Sequence, residues 1–382
     1  MERRSFVGGA GLAGVAAVGA GILAACDKKT EPAQPVAVPA SSASAPALAT
    51  GQVRWRLASS FPRSLDTLFG AAETFAKKVS DMTGGKFTIS THAAGELMPA
   101  FGVVDGVQNA TVEIAHTAPY YFFGKDECFA LGCAIPFGLN SRQMTAWMYE
   151  GNGLKLMRDF YKAYNIINFP GGNTGTQMGG WYRKEIKSIA DIKGLKFRVG
   201  GFAGKVIERM GGVPQNIPGG EIYQALEKGT IDAAEWVGPY DDLKLGFNKV
   251  APNYYYPGWW EGGPQLDILI NTKVYEGLSP EYKAIIESAA AFAHTEMQAK
   301  YDAKNPAALR QLVAGGTKLF RFPKDVMETA FKESMGLYSD ISAKNATWKK
   351  IYDDYSAFRR EQNLWFRFAE ASFDDFMQSQ KL

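Results

Sequence analysis

Strand-like and helix-like periodicities alternate along this chain from Val53 onward, and the alternation leaves few folds open. Val53 to Ala58 alternates apolar and polar residues, as a half-buried strand does. Leu65, Leu68, Phe69, Ala72, Phe75, Ala76 and Val79 then recur at helical spacing. Thr83-Gly84-Gly85 ends that helix. Lys86 to Thr91 predicts a second strand, Gly102 to Asn109 a short helix, and Val112 to His116 a third strand. A β-α-β-α-β order predicts a parallel sheet with helices on both faces, and ligand sites at the carboxyl ends of its strands.

The alternation resumes further on. Gln143 to Tyr164 is a helical stretch, and Ile166 to Asn173 a strand running into the turn Gly171-Gly172-Asn173-Thr174-Gly175-Thr176. That turn has neither a dinucleotide nor a Walker pattern, so its glycines are expected to let the backbone approach a small ligand. Lys193-Gly194 turns the chain into a strand, Leu195 to Val199, carrying Arg198. A short helix stopped by Gly229 follows, then a strand from Thr230 toward Glu235 and Trp236. Ser279 is a plausible N-cap with Pro280 at the first helical position. The helix reaches about Ala314 with a break expected at Pro306. Lys318 to Phe322 is a strand, and Asp325 to Gln378 mostly helix. That last stretch carries Tyr352, Tyr355, Phe358, Trp365, Phe366, Phe368, Phe373 and Phe376, a stripe that core packing would account for.

The N-terminus stands outside the fold. Arg3-Arg4-Ser5-Phe6-Val7 fits a twin-arginine export signal, and a weakly apolar run of small residues extends to Ala25. Leu23-Ala24-Ala25-Cys26 resembles a bacterial lipobox, so residues 1–26 are expected to be a signal peptide with lipidation at Cys26; cleavage releasing a soluble protein is the alternative. Residues 27–50 are a Pro/Ala/Ser-rich flexible linker that cannot form a core. No later run of 18 or more apolar residues predicts a transmembrane helix.

The roughly 330 remaining residues suffice for two domains. The formal net charge is +3 with no basic patch interleaved with aromatics, which gives nucleic-acid binding no support. His92, His116 and His294 lie far apart, so no zinc cluster is expected. Cys128 and Cys133 are either a disulfide or two small buried apolar residues.

Several phrases, in one order along the chain, resemble a known family. They are Trp55-Arg-Leu-Ala-Ser-Ser-Phe-Pro-Arg-Ser-Leu-Asp66, Gly95-Glu-Leu, Ala134-Ile-Pro-Phe-Gly-Leu-Asn140, Gly172-Asn-Thr-Gly-Thr-Gln177, Asp191-Ile-Lys-Gly-Leu-Lys-Phe-Arg198 and Ala225-Leu-Glu-Lys-Gly-Thr-Ile-Asp-Ala-Ala-Glu235. From about Val53 to the C-terminus the chain is similar to the DctP-like solute-binding proteins of tripartite ATP-independent periplasmic (TRAP) transporters, in the branch that binds 2-oxo acids or lactate. The resemblance implies an α/β, two-lobed periplasmic-binding-protein-like fold with helices around mixed sheets and a long C-terminal helical region. Lobe 1 would span about 51–170 plus a later return segment, lobe 2 about 171–315, and the C-terminal helices 325–378. It also implies periplasmic localisation, a small organic acid as ligand, TRAP membrane subunits as partners, and dimerisation through the C-terminal helices as a second account of the aromatic stripe.

Carried over residue by residue, the resemblance implies that Arg198 grips the ligand carboxylate bidentately and that Asn173 donates to a ligand oxygen. Gln177 and Glu235 would ligate a metal ion, with the backbone oxygen of Trp236 adding to it. Physical chemistry supports a cation: a carboxylate facing an anionic ligand repels it strongly away from water, and an ion between the two removes the conflict. All-oxygen coordination selects sodium or calcium. Trp259-Trp260-Glu261-Gly262-Gly263-Pro264-Gln265 supplies Glu261 as a further metal ligand, with Gln265 behind it. Its aromatics would either wall off the ligand's tail or pack in the core. Tyr121, beside Tyr120, could reach the ligand; Asp66 and Glu96 are expected to be caps or structural.

An extracytoplasmic solute receptor that closes on a monocarboxylate is the leading reading. A secreted enzyme would need a nucleophile-base pair or cofactor motif, and neither G-x-S-x-G nor a dinucleotide fingerprint is present. An exported sensory receptor using the same lobes stays open.

Overall fold

The computed structural model describes residues 51–380. The export signal, the lipobox cysteine and the tether, all expected before residue 51, lie outside the described residues. In chain order the strands are β1 (Val53–Ser59), β2 (Phe87–His92), β3 (Ile114–Thr117), β4 (Ile166–Asn173), β5 (Trp181–Tyr182), β6 (Lys196–Arg198), β7 (Val213–Gln215), β8 (Ala233–Ala234), β9 (Asn253–Tyr256), β10 (Gln265–Asn271) and β11 (Lys318–Arg321). They form two sheets, ordered β2-β1-β3-β10-β4 and β11-β9-β5-β8-β6-β7.

The first three strands are parallel, as the β-α-β-α-β pattern predicts. Helix Leu68–Met82 makes the first crossover and buries Phe69, Ala72, Phe75 and Val79. β10 then inserts antiparallel between β3 and β4, so the sheet is mixed. All seven β10 residues are buried, which suits a central strand covered on both faces. Its register sets Gln265 opposite Asn173 at the end of β4. The second sheet is also mixed: β6 is parallel to β7 and β8, whereas β5 is antiparallel to β8 and β9.

Three sequence expectations are corrected. The span 171–315 is not one unit, because β10 returns to the first sheet and the helix Pro280–Ala314 packs there too: Ile286, Ala289, Ala290 and Ala293 join a core with Phe75, Val79, Ile268 and Ile270. The same helix does not break at Pro306. Met297 and Tyr301 before the proline, and Ala308 and Leu312 after it, are all buried, so packing on both sides holds the helix through one missing hydrogen bond. Its N-terminus is as expected, with Ser279 accepting from the Tyr282 N–H at 3.3 Å. The strand expected from Thr230 shrinks to Ala233–Ala234, because Gly238 and Pro239 turn the chain at once into a helix, Pro239–Leu245.

The helical stretch at 143–164 is divided into Ser141–Tyr149 and Gly153–Tyr161, followed by a 3-10 turn. A Cβ at Gly153 would come within 2.7 Å of the Trp147 ring, so the intervening turn is packed flat against that indole. Cys128 and Cys133 are free thiols, both buried. In the C-terminal helix Ala346–Phe366, Trp348, Ile351 and Tyr355 are core residues. Core packing stops there: Trp365 is 60% exposed, Phe368 71%, Phe373 64% and Phe376 62%. No helix among the described residues is long and apolar enough to cross a membrane.

Candidate functional site

Four chain segments deliver polar groups to one place, and each leaves the end of a strand. Asn173 ends β4, Arg198 ends β6, Glu235 and Trp236 follow β8, and the 3-10 turn Pro119–Phe122 follows β3. The loop from Gly258 to Pro264 closes the set: Gln177 N–H donates to the Glu261 carbonyl at 3.1 Å and Gly258 N–H to the Gln177 carbonyl at 2.9 Å. Asn173 ties this loop to its own turn. Its Nδ2 donates to the Gly263 carbonyl at 3.1 Å and its Oδ1 accepts from Gly175 N–H at 2.9 Å.

Arg198 is fully buried. Its Nε donates to the Ile217 carbonyl at 3.0 Å, and its Nη1 donates to the Glu235 carbonyl at 2.9 Å and to the Glu235 Oε1. Nη2 has no partner. The guanidinium fork expected to grip a carboxylate bidentately is therefore half engaged with the protein, and Nη2 is its unpartnered edge. Trp236 lies against the guanidinium, with the ring centroid 5.0 Å from Cζ. This ring demands a glycine across from it, because a Cβ at Gly219 would sit 2.2 Å from the indole.

The acceptors are as exposed to need as the donor. Gln177 donates from Nε2 to Thr174 Oγ1 at 3.2 Å, yet its Oε1 is buried without a partner. Glu235 Oε2 and Glu261 Oε2 are in the same condition. Burying a polar atom unsatisfied costs roughly 1–3 kcal/mol, more for a charge, so a cluster of such atoms marks a site built for something else to enter. Burial pushes the carboxyls of both Glu235 and Glu261 above the usual glutamate range. Glu235 adds to the rise at Glu261, while Arg198 works against it at both. On Arg198 burial acts against the charge, but Glu235, Tyr121, Tyr120 and Glu261 hold it above the ordinary arginine value. Two buried carboxylates, one amide oxygen and a nearby backbone carbonyl are a donor set for a hard cation. No group of three or more His, Cys, Asp or Glu suited to a metal occurs among the described residues, so a soft-metal centre has no ligands here.

Beside these groups is a narrow cavity, with about 10 Å³ of room for water centres. Gln177, Trp236, Tyr120, Tyr121 and Thr174 give it a polar side; Phe61, Leu68, Val237 and Leu266 give it an apolar one. Tyr121 lies beside Arg198, and Tyr120 beside Glu261. The Tyr120 ring packs against Gly200, where a Cβ would approach it to 2.7 Å. Tyr120 thus lines the cavity along with Tyr121, and its position after β3 was the available signal. Phe61 and Leu68 were legible only as a family-like phrase and a helix-core residue; nothing in their type announces a ligand wall. Trp259 and Trp260 do not line the cavity: Trp259 stacks on Phe137 at 5.4 Å, and Trp260 meets Phe197 edge-on at 5.6 Å, which settles them as core. Gln265 braces the strand by donating to the Gly132 carbonyl at 3.2 Å and Asp267 Oδ1 at 2.9 Å, with its Oε1 unpartnered. Asp66 pairs with Lys244 and Lys304, and Glu96 with Arg63, both structural roles as expected.

Comparison with known proteins identifies the family. The family model of bacterial extracellular solute-binding proteins, family 7 (DctP), matches residues 58–345. A monocarboxylate 2-oxoacid-binding periplasmic protein of Nostoc sp. is 50% identical over 327 residues, covering 86% of this chain and 90% of the relative. A TRAP transporter solute-binding protein of Bordetella bronchiseptica, solved as a dimer with copurified calcium and picolinate in one active site, is 49% identical with a TM-score of 0.85, over 86% of this chain and 98% of that one. A TRAP periplasmic solute-binding protein of Pseudoalteromonas atlantica, solved with sodium and pyruvate, is 37% identical with a TM-score of 0.83, over 86% and 100%. The chain belongs to the DctP family of extracellular solute-binding proteins.

Proposed function

We propose that this protein is the extracytoplasmic receptor of a TRAP transporter, that it binds a small 2-oxo or 2-hydroxy monocarboxylate of the pyruvate or lactate kind, and that a sodium or calcium ion bridges ligand and protein. The observation that carries the reading is one cluster of buried, unpartnered polar atoms, Arg198 Nη2, Gln177 Oε1, Glu235 Oε2 and Glu261 Oε2, beside a small cavity that Gln177 lines. One donor edge and three acceptor oxygens cannot satisfy one another through an anion alone. A cation held by the oxygens, and a carboxylate held between cation and guanidinium, satisfies all of them. Asn173, with one amide hydrogen committed to Gly263, has a second for the ligand's keto or hydroxyl oxygen. The apolar side of the cavity suits a short tail. The names of the Nostoc, Bordetella and Pseudoalteromonas relatives point the same way.

In this reading the protein binds and delivers rather than catalyses, TRAP membrane subunits receive the ligand, and export ends in a lipid anchor at Cys26. A homodimer forms through the C-terminal helices. The exposed aromatics from Trp365 to Phe376 and the open groove beside them, which includes Arg142, His294, Gln298, Trp365 and Phe366, are the surface it would cover. Calorimetry on metal-stripped protein tests the central claim. Pyruvate or lactate is expected to bind tightly only when sodium or calcium is supplied; affinity independent of both ions at every concentration removes the bridging ion, and no binding of any short acid removes the ligand class. Mass spectrometry of the native N-terminus tests the anchor.

A further inference from the structure

The two aspartates at 241 and 242 are adjacent, buried and aimed in opposite directions. Asp242 reaches into the second sheet, where it accepts from Trp181 Nε1 on β5 at 2.9 Å and from Tyr254 Oη on β9 at 2.7 Å. Those two rings are stacked at 3.9 Å, so the helix Pro239–Leu245 is moored to that sheet. Asp241 reaches the other way. It accepts from Thr67 Oγ1 at 2.6 Å, at the start of the helix that links β1 to β2, and from Tyr301 Oη on the helix Pro280–Ala314 at 2.5 Å. Around this buried bond is an outer ring of contacts. Tyr240 Oη donates to Asp66 at 3.1 Å, Lys244 pairs with Asp66, and Lys304 donates to Asp66 at 3.3 Å and to Tyr240 Oη at 2.8 Å.

What makes this cluster more than a structural tie is its place in the chain. Leu68, next to Thr67, and Val237, four residues before Asp241, line the same cavity from the two sides. We propose that Thr67 and Asp241 are positioning residues for ligand binding, forming a latch between the two sheet-bearing halves that holds Leu68 and Val237 over the bound acid and sets how fast it leaves. The inference rests on the monocarboxylate reading above. Separating the halves far enough to release the ligand strips Asp241 of the Thr67 hydroxyl, and a hydrogen bond to a charged group counts for roughly ten- to a hundredfold in an equilibrium. Neither residue lines the cavity, so the latch is expected to act on release more than on encounter.

The test is stopped-flow tryptophan fluorescence on the whole chain with pyruvate and saturating sodium or calcium. Thr67→Val keeps the side-chain shape and deletes the hydroxyl. It is expected to raise the dissociation rate constant about tenfold, the equivalent of one such bond, while the association rate constant stays within about twofold of wild type. Thr67→Ser restores the hydroxyl and is expected to restore the slow release. Lys244→Met, at a side chain 31% exposed and therefore safe for folding, is expected to speed release in the same direction by a smaller factor. Wild-type release rates in Thr67→Val overturn the latch. So does faster release that Thr67→Ser fails to reverse, or a rate change shared equally by association and dissociation. A wild-type chain that binds no short 2-oxo or 2-hydroxy acid overturns the ligand reading itself, an outcome distinct from pyruvate binding with an unaltered off-rate in the variant.

Discussion

At the scale of single residues, Arg198 has two duties that the sequence could not separate. Three of its five N–H groups are spent on Ile217 and Glu235, which fix the guanidinium plane and leave Nη2 buried without a partner. Arg198→Lys keeps a charge but loses that geometry. Acid affinity is expected to fall by about 1.5–3 kcal/mol, measured by calorimetry. The denaturant midpoint should fall as well, with an unchanged slope, because the Ile217 and Glu235 carbonyls each lose a donor. Wild-type affinity in this variant would sink the clamp. Glu235→Gln retains an oxygen and removes the charge that attracts an ion. Linkage makes ion and acid strengthen each other equally, so this variant is expected to flatten the dependence of acid affinity on sodium and calcium. A wild-type ion dependence in Glu235→Gln leaves that carboxylate without a part in ion binding.

At the scale of elements, the helix Pro280–Ala314 serves both cores. Ile286 and Ala290 pack with the first sheet, whereas Tyr301 and Leu312 belong to the cluster that contains Trp181 and Tyr254 of the second. Pro306 is exposed and interrupts only the helix's own hydrogen bonding. Pro306→Ala is expected to stabilise the ion-free chain by about 1–3 kcal/mol in denaturant unfolding; a destabilised variant would mean that the proline's geometry is needed for packing. Local pattern placed the helix correctly and its proline wrongly, since the rule that proline ends helices is a statement about isolated segments. The same limit applies to the C-terminal helices. Their aromatic stripe reads uniformly in sequence, yet Tyr355 donates itself to the core and receives the Leu139 N–H at 2.6 Å, while Phe368 and Phe373 are exposed. If a dimer covers them, Phe368→Glu with Phe373→Glu should halve the mass seen by light scattering and leave acid affinity unchanged.

At the scale of the whole molecule, buried acids impose a pH dependence. Burial raises Asp242 and Asp267 to about 7 and Asp241 to about 6, outweighing their hydrogen-bond donors. A folded-state value above the unfolded one means the native chain binds more protons across the interval. Stability from these groups is therefore fully present below about pH 4 and is lost as pH rises through 6 to 7. Unfolding midpoints of ion-free protein are expected to drop from pH 5 to pH 8, and Asp267→Asn should lessen the drop. An equal drop in that variant would show that Asp267 does not titrate in this range.

Strands β5, β7, β9 and β10 were not legible in the sequence, which by itself determined strands β1 to β4, β6, β8 and β11 and the helices between the first three, the carboxyl-end placement of Arg198 and Glu235, and the family to which the chain belongs. These depend on hydrophobic period, turn residues and spacing, all of which are local. Only the tertiary structure decided that β10 crosses back between β3 and β4, that Nη1 of Arg198 is held by Glu235, and that Thr67 meets Asp241 across 174 positions. Contacts between residues so far apart leave no periodic trace in the chain. They arise when packed elements bring buried polar groups together and each must find a partner out of water.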